Sequence, residues 1–171
     1  MKKIAVITCL LLATPAAAQN GGPFRTTLSG YDEVPSVHTA AGGEFEARVN
    51  GANVDYTLTY SGLQAPVTMA HIHFAQKAVN GSIMVWLCGT AANPGPAGTP
   101  PCPGTGGTVS GTFTSADVLA SSTATQQFPA GDLEALVDAM LAGSAYVNVH
   151  STASPGGEIR GQVSARGQSG R

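Results

Sequence analysis

Charge is scarce in this 171-residue chain. Only 11% of its residues are Asp, Glu, Lys or Arg, and just eight are basic. Cations so few and so scattered leave no electrostatic footprint for nucleic acid, whose phosphates demand clustered Lys and Arg. Long apolar runs are missing beyond the N-terminus, so no later stretch is suited to spanning a bilayer as a helix. No Gly-x-Ser-x-Gly elbow and no phosphate-cradling glycine loop after a strand appear, which argues against a serine hydrolase and a nucleotide enzyme. The Gly- and Pro-rich stretch from Asn93 to Gly107 lacks a Gly-x-y period and is loop chemistry. Cysteine is sparse as well, with three in the chain.

The N-terminus carries what the rest lacks. Lys2 and Lys3 form a short positive region, Ile4 to Ala13 an apolar run too short for a stable transmembrane helix, and Ala16-Ala17-Ala18 a small-residue cleavage site. That order is the layout of a secretory signal peptide over residues 1–18, with the mature chain starting at Gln19. The competing reading is an uncleaved buried helix. Cleavage removes two of the eight basic residues and leaves six against ten acidic ones, a net charge near −4. About 150 residues then remain, enough for one domain around one core. Cys9 leaves with the signal, so Cys88 and Cys102 form an even pair in an exported chain. The simplest reading is a disulfide, which closes a Pro- and Gly-rich loop and contributes about 3 kcal/mol in the chain-entropy model. Two thiolate metal ligands are the rival reading, which the spacing and an oxidising compartment disfavour.

The remainder reads as short strands separated by Gly, Pro, Asn and Ser. Phe24 to Leu28 opens the domain. Phe45, Ala47 and Val49 alternate with Glu44, Glu46 and Arg48; Asn50-Gly51 then signals a tight turn. Val54, Tyr56, Leu58 and Tyr60 alternate with polar residues and complete a hairpin. Further strands are predicted over 67–74, 82–87, 108–114, 145–150 and 158–163. One helix is expected, with Asp132 as N-cap, an apolar stripe of Leu133, Leu136, Val137, Met140 and Leu141, and Gly143 as its stop. The fold class that follows is mainly β, an antiparallel Greek-key sandwich or barrel with one short helix. Residues 164–171 are read as a polar, frayed tail.

Alternation singles out three histidines. Along the strand of residues 67–74, Ala70, Ile72 and Phe74 share one face, and Met69, His71 and His73 the other. Along 145–150, Val147 and Val149 oppose Tyr146, Asn148 and His150. The apolar faces are the natural core faces, so the imidazoles are expected to point toward solvent or a shallow pocket. Side chains two apart on a strand are about 7 Å apart, a span over which two imidazoles can converge on one ion. If the two strands are close, His71, His73 and His150 meet. Three neutral imidazoles suit copper or zinc, with a position left for water or a substrate. The alternative is that they bond to backbone or to Glu158 and only hold loops in place. His38 lies in a predicted loop, where it is either a fourth ligand or a solvated surface residue. The carboxylate pairs Asp32–Glu33 and Asp132–Glu134 have ordinary roles as turn and helix-cap residues.

Several runs together resemble a known family. Leu28-Ser29-Gly30-Tyr31-Asp32-Glu33-Val34-Pro35 followed by Thr39 and Gly42, then Met69-Ala70-His71-Ile72-His73 with Asn80-Gly81, are similar to the opening and central strand of CHRD (chordin-type) domains. Tyr146-Val147-Asn148-Val149-His150-Ser151 and Pro155-Gly156-Gly157-Glu158-Ile159-Arg160-Gly161-Gln162 resemble the family's terminal signature. The match covers residues 24–163. It implies an extracytoplasmic β domain; the signal peptide is compatible with periplasm or secretion, and the favoured reading is an exported module with some metal-binding capacity that binds an unknown protein or envelope partner. The resemblance also implies histidines at His71, His73 and His150 but not at His38, and it confers no activity.

A fainter likeness concerns the site alone. A His-x-His strand with a later single strand histidine also describes the copper ligands of copper–zinc superoxide dismutase. An Arg in a late Gly-rich segment, here Arg160, is similar to that enzyme's anion-guiding arginine. The zinc-site residues have no counterpart, so this likeness extends at most to a copper-only redox protein. Glu158, Arg160 and Gln162 share a polar face. Were that the histidine face, Glu158 would orient a ligand and Arg160 hold an anion. The plainer reading is a Glu158–Arg160 surface pair.

Overall fold

The computed structural model describes residues 23–165; the signal-peptide reading and the end of the tail lie outside them. Nine strands follow one another as β1 (Phe24–Ser29), β2 (Gly42–Asn50), β3 (Asn53–Ser61), β4 (Val67–Phe74), β5 (Ser82–Gly89), β6 (Gly107–Thr114), β7 (Ala145–Ser151), β8 (Ile159–Gln162) and β9 (Ser164–Ala165). Among the described residues one α-helix, α1 (Leu133–Leu141), lies between β6 and β7. The mainly antiparallel β fold with one short helix is thus as expected. Ser164 and Ala165, placed in the frayed tail by their polarity, instead pair with Arg25 and Phe24 of β1.

The strands make one sheet in the order β5-β4-β7-β8-β1-β2-β3-β6, and each ladder is antiparallel. Asn50 pairs with Asn53 across a two-residue turn in which Gly51 takes a φ of 63°. The turn's two central residues are thus Gly51 and Ala52, with Asn50 closing β2, and the positive φ that glycine supplies matches the right-handed twist of the flanking strands. The sheet curls until its end strands β5 and β6 face each other. There the buried Tyr56 hydroxyl donates to the Leu87 carbonyl at 2.6 Å. Residues 90–106 cross this seam, pinned by the Cys88–Cys102 disulfide and by the Tyr60 hydroxyl donating to Pro103 O at 2.8 Å.

The inward residues form one core, including Phe24, Leu28, Phe45, Leu58, Ile72, Met84, Leu87, Val147, Val149 and Ile159, all at most 1% exposed. Asp132 caps α1 by accepting from Ala135 N at 2.9 Å, and Leu136 and Met140 carry the helix's apolar stripe into the core. The outward face of β4, β7 and β8 is not left to solvent. Residues 30–39, 75–81 and 152–157 fold over it, and beneath them lie the histidines.

Candidate metal centre

β4 and β7 are direct neighbours, and their register sets His71 opposite Asn148, His73 opposite Tyr146, and Met69 opposite His150. On its other edge β4 pairs with β5 through register shifts at Ala70/His71 and Ile72/His73. Such bulges re-aim side chains, and both flank a histidine. One potential ligand atom from each of His71, His73 and His150 lies within 4.8 Å of the others. The Nδ1 of His71 is 3.3 Å from the Nε2 of His150.

The expected exposure of these rings is overturned. His71 is 0% exposed, His73 7% and His150 6%. The apolar faces of β4 and β7 do form the core, but the opposite face is roofed by loops that alternation within one strand cannot reveal. Burial strips water from the imidazolium forms and holds all three rings neutral. His71 falls to about 2, with the neighbouring imidazoles adding to the effect, and His73 to about 4. His150 is also lowered, against the pull of its bond to Pro155.

Hydrogen bonds then select the tautomers. In a neutral ring, Nδ1 of His73 faces the Gly81 carbonyl at 3.0 Å, and Nδ1 of His150 faces that of Pro155 at 2.9 Å. A carbonyl only accepts, so each Nδ1 carries the proton and each Nε2 is left with a lone pair. The Nε2 atoms of His71 and His73 are buried without a hydrogen-bond partner. Unpaired buried polar atoms cost about 1–3 kcal/mol each; a cation held between the rings would satisfy Nε2 of His73, while His71 would reach it through Nδ1, the atom that faces His150. Three neutral, convergent nitrogen donors, two of them oriented by backbone carbonyls, could hold a metal ion.

Packing holds the rings in place. His73 stacks on Tyr146 at 4.6 Å with the planes 3° apart, and the Arg160 guanidinium carbon lies 3.3 Å from the centre of the same Tyr146 ring. His71 meets the edge of Trp86 at 4.3 Å between centroids. Arg160, 2% exposed, donates through Nη1 to Asn80 Oδ1 at 3.1 Å and through Nη2 to Val79 O at 2.8 Å. Its guanidinium thus clasps the 75–81 loop from below.

Glu158 is buried too, yet it is engaged elsewhere. Its carboxylate accepts from Thr39 Oγ1 at 2.9 Å, from Gln64 N at 2.8 Å and from the Ser151 hydroxyl. Backbone carbonyls, not Glu158, orient the histidines, and the surface Glu158–Arg160 pair does not form because both side chains are buried with other partners. His38 stays outside the cluster, exposed, with its Nδ1 3.0 Å from the Tyr31 hydroxyl.

With this geometry in view, comparison with known families is decisive for ancestry. The CHRD domain family model matches residues 24–163. The chain belongs to the CHRD domain family. No curated protein and no solved structure matches it. Within this CHRD domain, the residue that sequence reasoning passed over is Glu33. Read as a turn residue, it is in fact 5% exposed, with Oε1 lacking a partner. Burial raises its pKa from 4.5 to about 7, opposed by the Val34 N–H, the Arg160 charge and the Asn148 amide. Gly157 seals this corner at a φ of 127°, where a Cβ would collide with Glu33 Oε1 and Asn148 Nδ2. The position of Glu33 beside Val34-Pro35 in the opening motif was the available signal.

Proposed function

We propose that this CHRD domain is an exported binding module that holds one transition-metal ion, copper or zinc, through His71, His73 and His150. The observation that carries the reading is the convergence of three buried imidazoles whose ligand atoms lie within 4.8 Å of one another, two of them with Nδ1 committed to a carbonyl. A bound ion would supply positive charge to a proton-poor pocket and link β4 to β7. The rings themselves remain neutral, keep their orientation through Gly81 and Pro155, and exclude water by burial. Export is supported by the N-terminal signal pattern and by the Cys88–Cys102 disulfide, a bond of oxidising compartments. No helix among the described residues is long and apolar enough to cross a membrane.

Binding is favoured over copper redox catalysis by one feature. A catalytic centre keeps a position open to substrate, whereas these three rings are at most 7% exposed, and Arg160 spends its guanidinium on Tyr146, Val79 and Asn80 instead of facing an incoming anion. The test is metal analysis of protein purified from its exported compartment, beside the His71→Ala, His73→Ala variant. Wild type is expected to retain about one copper or zinc per chain, and to melt higher with added metal, by about 2.7 kcal/mol of stabilisation at a hundredfold excess over Kd. The variant is expected to lose both. Wild-type protein with no retained metal and no metal-dependent melting shift would end the proposal.

A further inference from the structure

Asn148 lies directly across the ladder from His71, is 2% exposed, and places its Oδ1 3.0 Å from the Nε2 of His150. That contact does not work as an ordinary hydrogen bond. His150 carries its proton on Nδ1, facing Pro155, so Nε2 and the amide oxygen are two acceptors face to face. Reversing the amide would remove the conflict, but its nitrogen is turned to the other side, toward the buried Glu33 carboxyl that needs a donor. His73 is also close to this side chain. A tetrahedral ion with bonds of about 2.0–2.1 Å separates its donors by about 3.4 Å. The observed 3.0 Å from Asn148 Oδ1 to His150 Nε2 and 3.3 Å from there to His71 Nδ1 are close to that edge length.

We propose that Asn148 is the fourth donor of the metal centre, contributing its amide oxygen and so completing the coordination from protein atoms alone. The inference rests on the three-histidine reading and sharpens it, since a filled sphere belongs to a centre that holds its metal and does not turn over a substrate. Glu33 Oε1 and Asn148 Nδ2 border the same corner at Gly157, so Glu33 lies on the nitrogen side of the amide and the oxygen is left to the rings.

The experiment uses Cu(II) alone as the probe on the full mature chain. Affinity is measured by chelator competition for wild type and Asn148→Ala, and the copper resonance is recorded in water labelled with a magnetic oxygen isotope. Wild type is expected to bind without isotope broadening. Asn148→Ala is expected to bind at least about tenfold more weakly and to broaden as water takes the vacated position. Isotope broadening in wild type, or an Asn148→Ala variant that binds as tightly as wild type, overturns the fourth-donor assignment and leaves the histidine site standing. A wild type that binds no copper removes the site itself. Should Asn148→Ala misfold, the wild-type isotope measurement decides alone.

Discussion

Replacing Glu33 with Gln tests the physics of the roof over the histidines. Glu33 is 5% exposed, and loss of water raises its pKa from 4.5 to about 7 despite the nearby Arg160 charge. The folded state therefore prefers the protonated acid. Below pH 4.5 both states are protonated and no penalty exists. Between 4.5 and 7 the unfolded chain releases its proton while the folded chain keeps it, so stability falls by about 1.4 kcal/mol per pH unit. Above 7 the penalty is complete, at about 3 kcal/mol for a shift of this size. Glu33→Gln keeps the shape and stays neutral throughout. Urea unfolding of both metal-free proteins from pH 4 to 8 should show a stability difference that grows in favour of Gln across 4.5 to 7 and then levels off. The histidines, with lowered values, give stability that is complete above their ordinary 6.5 and lost as pH falls toward about 4 and below. That contribution is common to both proteins and cancels in the difference. A difference that stays flat from pH 4 to 8 would refute the desolvation argument. One that runs the other way would mean that Arg160 outweighs burial and holds Glu33 ionised.

The other two perturbations probe the seam and the loop. Replacing Cys88 and Cys102 together by Ala reopens a crosslink spanning fourteen positions and should cost about 3 kcal/mol in denaturant unfolding; a loss below about 0.5 kcal/mol would mean that Tyr56 and Tyr60 close the seam without it. Gly157→Ala forces a side chain into a φ of 127° and against Glu33 and Asn148, so a destabilisation of at least about 1 kcal/mol is expected, read as a lowered urea midpoint. An unchanged midpoint would place Glu33 and Asn148 elsewhere.

How legible the chain was depended on the range of the interaction concerned. The hairpin at Asn50-Gly51, the cap at Asp132 and the strand carrying His71 and His73 were readable because each is written within about ten consecutive residues, as turn chemistry, capping or period-two alternation. The histidine trio was readable because alternation and the CHRD resemblance picked the same three residues. Glu33 was not, because a carboxylate beside Val34-Pro35 looks like any exposed turn residue until the chain returns to cover it. Glu158 misled for a related reason. It shares a parity with Arg160, but its partners Thr39, Gln64 and Ser151 come from three separate segments.

By itself, the sequence determined which residues share a face: alternation is enforced by the pleat of each strand, so Ile72 and Val147 had to part from His71 and Asn148 wherever those strands went. Only the tertiary structure decided what that second face meets. The pairing of β4 with β7 brought His150 to the His71–His73 pair, and the loops at 30–39, 75–81 and 152–157 enclosed them. Burial depends on contacts between residues as distant as Glu33 and Asn148, or Asn80 and Arg160, and no local period encodes it. The same enclosure keeps the imidazoles neutral and brings their ring nitrogens together.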